Sequence, residues 1–366
     1  MKLSVSKNQI LEELQLLQGI VEKRNTMPIL ANILMDVRAG RMALTGTDLE
    51  VGLRTSCEAN VEEEGAVTVS GKKIFEIVKS LPEQCDITIR ENDDLMMEIQ
   101  AAKSRFKILC LPKEDYPQVP EPKFSAKIVL PMEKFREMID RVYYAIAQEQ
   151  RYYLNGALMI LKDNSMELVS TDGHRLSYTA SDLEGFHPEK ETRVIVAKKT
   201  LGELRKISAG QLEFDADDNN LFFKAETRTL ISRIIESKFP NFEAVIPKEN
   251  PHVLRLDRQE FTDAIRRVSL LSAERSRGIK FTIKKKQVEL FSSNPEMGEA
   301  SDRLDVEYKG PDLEIGFNSQ YLLDFLTTVN GERVSFELKD ENSAALLKPE
   351  TEEGMKYSYV LMPMKI

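Results

Sequence analysis

The amino-acid sequence predicts an α+β protein made of three similar domains in tandem. Three observations predict it. A short strand running into an amphipathic helix recurs at residues 2–14, 127–139 and 253–265, with Ile10, Phe135 and Phe261 in matching positions. A strand-turn-strand recurs at 33–48, 157–172 and 279–294, each alternating apolar and polar residues around a polar or glycine-containing turn, as hairpins do. A second helix recurs at 71–81, 197–207 and 318–329. The repeat is about 125 residues long, which is a domain rather than a solenoid unit of roughly 20–50 residues.

Within a repeat the order is strand, helix, several strands, second helix, several strands. That order places helices on one side of a mostly antiparallel sheet. In the first helices Phe135, Met138, Ile139 and Val142 match Phe261, Ala264, Ile265 and Val268, all at i, i+3, i+4, i+7, which is one buried face. Ser6 and Asp257 stand where N-caps belong, and Pro131 suits a first helical turn. Each repeat closes on an apolar or aromatic residue before proline: Tyr116-Pro117, Phe239-Pro240 and Met362-Pro363. The stretches 116–127 and 246–253 each hold two or more prolines. Proline restricts its own φ and its predecessor, so these read as stiff linkers. The expected domains are 1–123, 124–249 and 250–366.

The 366 residues are 42% hydrophobic and 30% charged, enough for full cores beneath a solvated surface. No apolar run approaches the roughly 18–20 residues that span a bilayer, and nothing behind Lys2 reads as a signal peptide. A cytoplasmic protein without membrane association is expected. Cys57, Cys85 and Cys110 are scattered without CxxC spacing, so they read as reduced thiols, with no metal and no cofactor. The net charge is −9, which argues against a generic nucleic-acid binder but not against one whose positive charge is confined to one surface. Lys72 and Lys79 share a helix face, as do Lys199 and Lys206; Lys134 and Arg141 repeat that spacing, and Arg266 and Arg267 sit on the third first-helix. Residues 318–329 carry no Lys or Arg, so the pattern is partial. The competing reading of these faces is a solvated surface of charge pairs. His174 near Asp172 could serve as a general base. No Ser, Cys or metal-ligand partner stands at useful spacing, and the chain has no GxxxxGK[ST], HExxH or GxSxG, so no enzyme is expected.

The stretches TMPILANILMDV (26–37), LTGTDLEV (44–51), RYYLNG (151–156), STDGHRLS (170–177), SKFPNF (237–242), IGFNSQYLLDFL (315–326) and YVLMPMKI (359–366) resemble the bacterial DNA polymerase III β subunit, the sliding clamp. The resemblance runs in order from Met1 to Ile366. It implies three clamp domains, each a pair of βαβββ units, and two chains joined head to tail into a ring of six domains. Such a ring encircles duplex DNA without reading sequence, and tethers the polymerase without chemistry of its own. The implied partners are double-stranded DNA, a second copy as homodimer, the DNA polymerase III catalytic subunit, clamp-loader subunits, and other polymerases and repair proteins that carry a clamp-binding peptide. A three-domain interaction scaffold that does not encircle DNA is the alternative.

The resemblance also implies sites. A peptide groove would use Leu154, Thr171, Gly173, His174, Arg175 and Leu176, then Pro240 and Val245, then Val360, Leu361, Met362, Pro363 and Met364. Ala244 stands where many members carry arginine, and the basic residue near the terminus is Lys365. Apolar side chains of this kind form an adaptable surface that suits several partners. DNA contacts would come from Arg24, Lys72, Lys73, Gln148, Tyr152, Tyr153, Lys198 and Lys199. A subunit seam would pair Lys103, Arg105, Phe106 and Ile108 with Leu270, Leu271, Glu296, Glu299 and Asp302, an apolar centre ringed by opposite charges.

Overall fold

The three repeated hairpins form where the sequence places them. Asn32–Arg38 pairs with Arg41–Thr47, Gly156–Lys162 with Ser165–Thr171, and Gly278–Lys284 with Gln287–Asn294, all antiparallel. They belong to a computed structural model that describes all residues except 22–26, 93, 125–127, 149–153, 189, 352–353 and 366. In the first hairpin Ala39 and Gly40 take φ of 48° and 75°, the mirror-image turn whose twist matches that of paired strands.

Two helices per repeat are present among the described residues: α1 (Lys7–Leu17) and α2 (Gly71–Ser80), α3 (Met132–Tyr143) and α4 (Lys198–Leu204), α5 (Arg258–Ser269) and α6 (Ser319–Thr328). The predicted apolar faces of α3 and α5 are buried, each large side chain contributing about 1.5–3 kcal/mol of transfer free energy. Asp257 caps α5 by accepting from the Glu260 amide at 2.8 Å. Ser6 occupies the cap position of α1 but makes no side-chain cap bond; the Lys7 amide donates instead to the Cys85 carbonyl at 3.0 Å. Pro131 ends the strand Ile128–Pro131 rather than opening α3. α4 is shorter than the pattern predicts, because Arg205–Ile207 leave it through tighter turns, Lys206 N to Glu203 O and Ile207 N to Leu204 O. Arg141 is not on an exposed basic face. It is buried, paired with Glu137 at 2.7 Å and stacked over Tyr357.

The chain divides into two compact units, and neither coincides with a repeat. One comprises Met1–Glu133 and Lys199–Ile234, the other Lys134–Lys198 and Ile235–Ile366. The cause is sheet continuity between repeats. The first unit holds a thirteen-stranded sheet in which Arg228–Arg233 pairs with Val51–Glu58, Thr229 lying opposite Arg54 and Ser232 opposite Val51. Arg228 also binds buried Glu13 (Nη2 to Oε1, 2.6 Å) and Glu12, while Glu13 accepts from the Thr55 hydroxyl. Removing one partner of such a buried pair typically costs about 3–5 kcal/mol.

The second unit holds an eight-stranded and a four-stranded sheet. In the larger, Arg175–Asp182 pairs with the strand Met355–Leu361, Arg175 opposite Leu361 and Ser181 opposite Met355. Tyr357 and Tyr359 from that strand are fully buried. The Tyr357 hydroxyl donates to Arg141 O at 3.2 Å and meets the Tyr144 hydroxyl at 2.8 Å; Tyr359 donates to Tyr321 O at 3.0 Å. Burial raises the pKa values of Tyr144, Tyr357 and Tyr359 above the ordinary phenol range. A phenol whose pKa is raised by folding adds stability that is complete below its unfolded value, about 10, and is lost as pH rises toward the folded value. Stability of the second unit is therefore expected to fall above about pH 10 by roughly 1.4 kcal/mol per pH unit for each of these tyrosines. Absorbance at 295 nm should show them ionising only as ellipticity is lost; their free titration in the folded protein would contradict this packing.

Candidate functional site

The turn at 172–175 is the pivot of the predicted groove. Gly173 has φ of 92°, a backbone conformation that side chains resist. The turn is wired by short bonds: Gly173 N to Thr171 Oγ1 at 3.1 Å, His174 N to Asp172 Oδ1 at 2.9 Å, and Thr171 Oγ1 to Arg175 O at 2.6 Å. The tail of the chain crosses it, Met362 N donating to His174 O at 3.0 Å and Met364 N to Gly316 O at 2.9 Å.

Beneath the turn lies one apolar cluster. Leu154, Leu176 and Val360 join Phe239, Phe242 and Leu346 in it. Val245 and Met362 are 45% and 43% exposed, apolar side chains left facing solvent, and Pro240 and His174 are exposed as well. Pro363 and Met364 are half-buried. Leu361 differs from the expectation. Strand alternation turns it to the opposite face, into the core that holds Tyr357 and Tyr359. Phe242, stacked on Tyr178 at 5.8 Å, and Leu346 belong to the cluster but were not singled out from the sequence. SKFPNF carried the signal for Phe242, and Leu346 sits in the short apolar run 344–347.

The Arg175 side chain also turns away from the cluster. Only 9% exposed, it donates to Asp324 Oδ2 (2.6 Å), to Asp172 Oδ2 (3.0 Å) and to Tyr144 O (2.6 Å), and lies 4.1 Å from the Tyr321 ring centroid. Burial works against its charge, but Tyr359, Asp324 and Asp172 outweigh burial and raise its pKa. It lines a cavity of about 870 Å³ with Gln148, Asp172, His174, Lys198 and Tyr321.

The candidate DNA contacts are differently placed. Lys72 and Lys73 are exposed on α2 and share Glu76, at 3.7 and 3.0 Å. The Lys73 hydrogen bond, more than Lys72, holds the Glu76 carboxyl below the usual range. Lys199 is engaged by Asp48 and by Ile20 O. Lys198 donates to Ile146 O at 3.1 Å and sits over the Tyr143 ring; burial, then the Arg175 charge, lowers its pKa. Arg24, Tyr152 and Tyr153 lie outside the described residues.

At the candidate seam, Ser104–Pro112 pairs with Met96–Ala101 through Ser104–Leu109 and with Gly65–Ser70 through Cys110–Pro112. Among the described residues the other edge of 104–109 has no partner strand, and Gly298–Asp305 forms the edge of the four-stranded sheet. Phe106 and Ile108 are half-buried, while Lys103, Arg105 and Lys107 are exposed. Arg105 is bound to Glu98 at 2.6 Å. Leu109, not anticipated, is 77% exposed. Opposite in charge, Glu296 and Glu299 are exposed; Leu270 is 76% exposed, Leu271 half-buried, and Asp302 holds Arg267 at 2.7 Å.

Three domain families match in order: the DNA polymerase III beta subunit N-terminal domain over residues 1–120, the central domain over 129–241 and the C-terminal domain over 243–365. The beta sliding clamp of Pseudomonas putida is 37% identical over the whole of both chains. Among solved structures, the Pseudomonas aeruginosa clamp bound to griselimycin is 35% identical with a TM-score of 0.94 over both full chains. The Caulobacter crescentus clamp, with polyethylene glycol bound to its putative beta-motif tethering region, is 33% identical with a TM-score of 0.94, covering all of this chain and 99% of that one. The chain belongs to the DNA polymerase III beta subunit family, the beta sliding clamps.

The cluster beneath the turn separates floor from rim. Leu154→Ala and Leu346→Ala should each destabilise the protein by about 2–5 kcal/mol, as buried leucines do. Val245→Ala and Met362→Ala, nearly half exposed, should each cost under about 1 kcal/mol. Urea unfolding measures both, and equal losses at the two sets would mean that Met362 is core.

Proposed function

We propose that two copies close head to tail into a six-domain ring around duplex DNA and carry partners on the groove at the Thr171–Leu176 turn and the Val360–Met364 tail. The protein is a DNA sliding clamp that serves polymerase processivity, and in this reading it does so without catalysing a reaction, in the cytoplasm. Among the described residues no helix is long and apolar enough to cross a membrane. The domains are taken as 1–123, 124–249 and 250–366. The groove would take short peptides from the DNA polymerase III catalytic subunit, clamp-loader subunits, and other polymerases and repair proteins.

The observation that carries the ring is the repeat's own junction. The fourth strand of repeat one (Val51–Glu58) pairs with the last strand of repeat two (Arg228–Arg233); the fourth strand of repeat two (Arg175–Asp182) pairs with the last strand of repeat three (Met355–Leu361). The two strands left over from this scheme are the fourth strand of repeat three, Gly298–Asp305, and the last strand of repeat one, Ser104–Pro112. Joined between two copies they make the same junction again, and a head-to-tail contact whose rotation closes gives a ring. Thr229 lies opposite Arg54. Counted from the hairpin turns, Thr229 corresponds to Arg105 and Arg54 to Ser301. The same register sets Lys107 opposite Glu299, an attractive cross-strand pair.

A ring held by topology needs only weak, sequence-independent attraction to phosphates, which exposed Lys72 and Lys73 would supply. Lys107→Glu is expected to shift the dimer toward monomer in sedimentation equilibrium, and Glu299→Lys in the same chain to restore it; a dimer indifferent to both would move the seam elsewhere. Once loaded, the protein should remain on nicked circular DNA and leave when that DNA is linearised. Equal loss from both forms would favour a scaffold that does not encircle DNA.

A further inference from the structure

We infer that Asp324 is a positioning residue for the peptide groove, acting through Arg175. The inference rests on the groove reading above and names what holds its turn in place. Three parts of the chain meet at Arg175. Its backbone is the last of the 172–175 turn. Its guanidinium spans from Asp172, at the start of that turn, to Asp324 on α6, and also reaches the Tyr144 carbonyl just after α3. Tyr321, one turn before Asp324, covers the guanidinium face. Asp324 is in turn oriented by Gln320, whose Nε2 donates to Oδ1 at 2.8 Å, and Gln320 accepts from Arg277 at 2.8 Å.

The consequence for the groove follows from the bonds that leave the turn. Asp172 uses Oδ2 for Arg175 and Oδ1 for the amides of His174 and Arg175. One carboxylate thus couples the guanidinium to the backbone that presents His174. The His174 carbonyl then receives the Met362 amide, and Met362 is the exposed apolar side chain of the tail. With Asp324 gone, a nearly buried guanidinium keeps one carboxylate, one carbonyl and the Tyr359 hydroxyl and loses half of its compensating negative charge, and an under-paired buried charge is costly. The easiest motion carries the 172–175 turn with it. Asp324 lines the cavity on the Arg175 side of the turn, while the apolar cluster lies beneath the turn, so its effect on a ligand seated over that cluster would run through Arg175 and the turn.

The test is a titration of the full chain with griselimycin, which the Pseudomonas aeruginosa relative binds. Asp324→Ala is expected to weaken binding about tenfold, or about 1.4 kcal/mol, through faster dissociation, with circular dichroism and dimer mass unchanged. Asp324→Glu should recover most of the loss, and Asp324→Asn, which keeps the shape without the charge, should fall between. In an Arg175→Met background Asp324→Ala should cost nothing further, because groups acting as one unit are not additive. Met362→Glu serves as the control for the groove itself. If Met362→Glu abolishes binding while Asp324→Ala stays within twofold of the parent, the positioning role is overturned. Additive losses in the Arg175→Met background overturn it as well. If Met362→Glu binds normally, the groove reading fails first.

Discussion

The antiparallel ladder between residues 175–181 and 355–361 is the constraint on which the second unit depends. Its backbone bonds join the middle repeat to the third. Its two faces serve different purposes. Tyr357, Tyr359 and Leu361 enter one core, while Val360 enters the cluster beneath the candidate groove. Where the ladder stops, the Met362 amide still finds the His174 carbonyl, so the tail leaves the sheet already registered against the turn. In the proposed groove reading, stability and binding use the same strand, and substitutions there would divide by side-chain parity rather than by distance from the terminus.

Charge in this acidic chain is sorted by burial. Arg141, Arg175 and Arg228 act as internal struts, each satisfied by carboxylates or carbonyls. A guanidinium suits that work because its planar fork serves several acceptors at once. Lys72 and Lys73, by contrast, share one exposed carboxylate. Exposed pairs of this kind are worth about 0–1 kcal/mol, so phosphate can compete for those ammonium groups at little cost. Lys199 is committed to Asp48, and this makes it a poorer candidate for a phosphate contact than exposed Lys72 or Lys73. A net charge of −9 is compatible with DNA because the field depends on where the uncommitted cations stand.

Much of the fold was legible because its signals are local. The i, i+3, i+4, i+7 faces of α3 and α5, the Asp257 cap and the three hairpins need only neighbours in sequence to be read. What escaped needs partners far away. Nothing near 228 announces that Arg228 will bind Glu13, and nothing near 141 that Arg141 will be buried over Tyr357. Ser6 stands at the cap position of α1 without a side-chain cap bond, while the neighbouring Lys7 amide is held by the distant Cys85 carbonyl. Family resemblance located the turn and tail of the candidate groove, but it could not tell backbone from side chain. Arg175 contributes its backbone to the turn and its side chain to a strut, and Leu361 enters the core that holds Tyr357 and Tyr359.

The mismatch between repeats and compact units has the same origin as the proposed ring. A repeat that kept its edge strands to itself would fold as a separate bead, with linkers free to swing. Here the fourth strand of one repeat and the last strand of the next complete each other's sheet, so neither repeat is closed on itself. Exposed strand edges invite further pairing, and proteins usually blunt them with charge. The two leftover edges are charged, with Lys103, Arg105 and Lys107 near one and Glu296 and Glu299 near the other. Each row repels its own kind and attracts the other, which disfavours edge-to-edge pairing of like strands and favours head-to-tail closure. One rule, applied twice within the chain and once more between chains in the proposed ring, accounts for the continuous sheets and the unit boundaries and would account for the charge pattern of the two leftover edges.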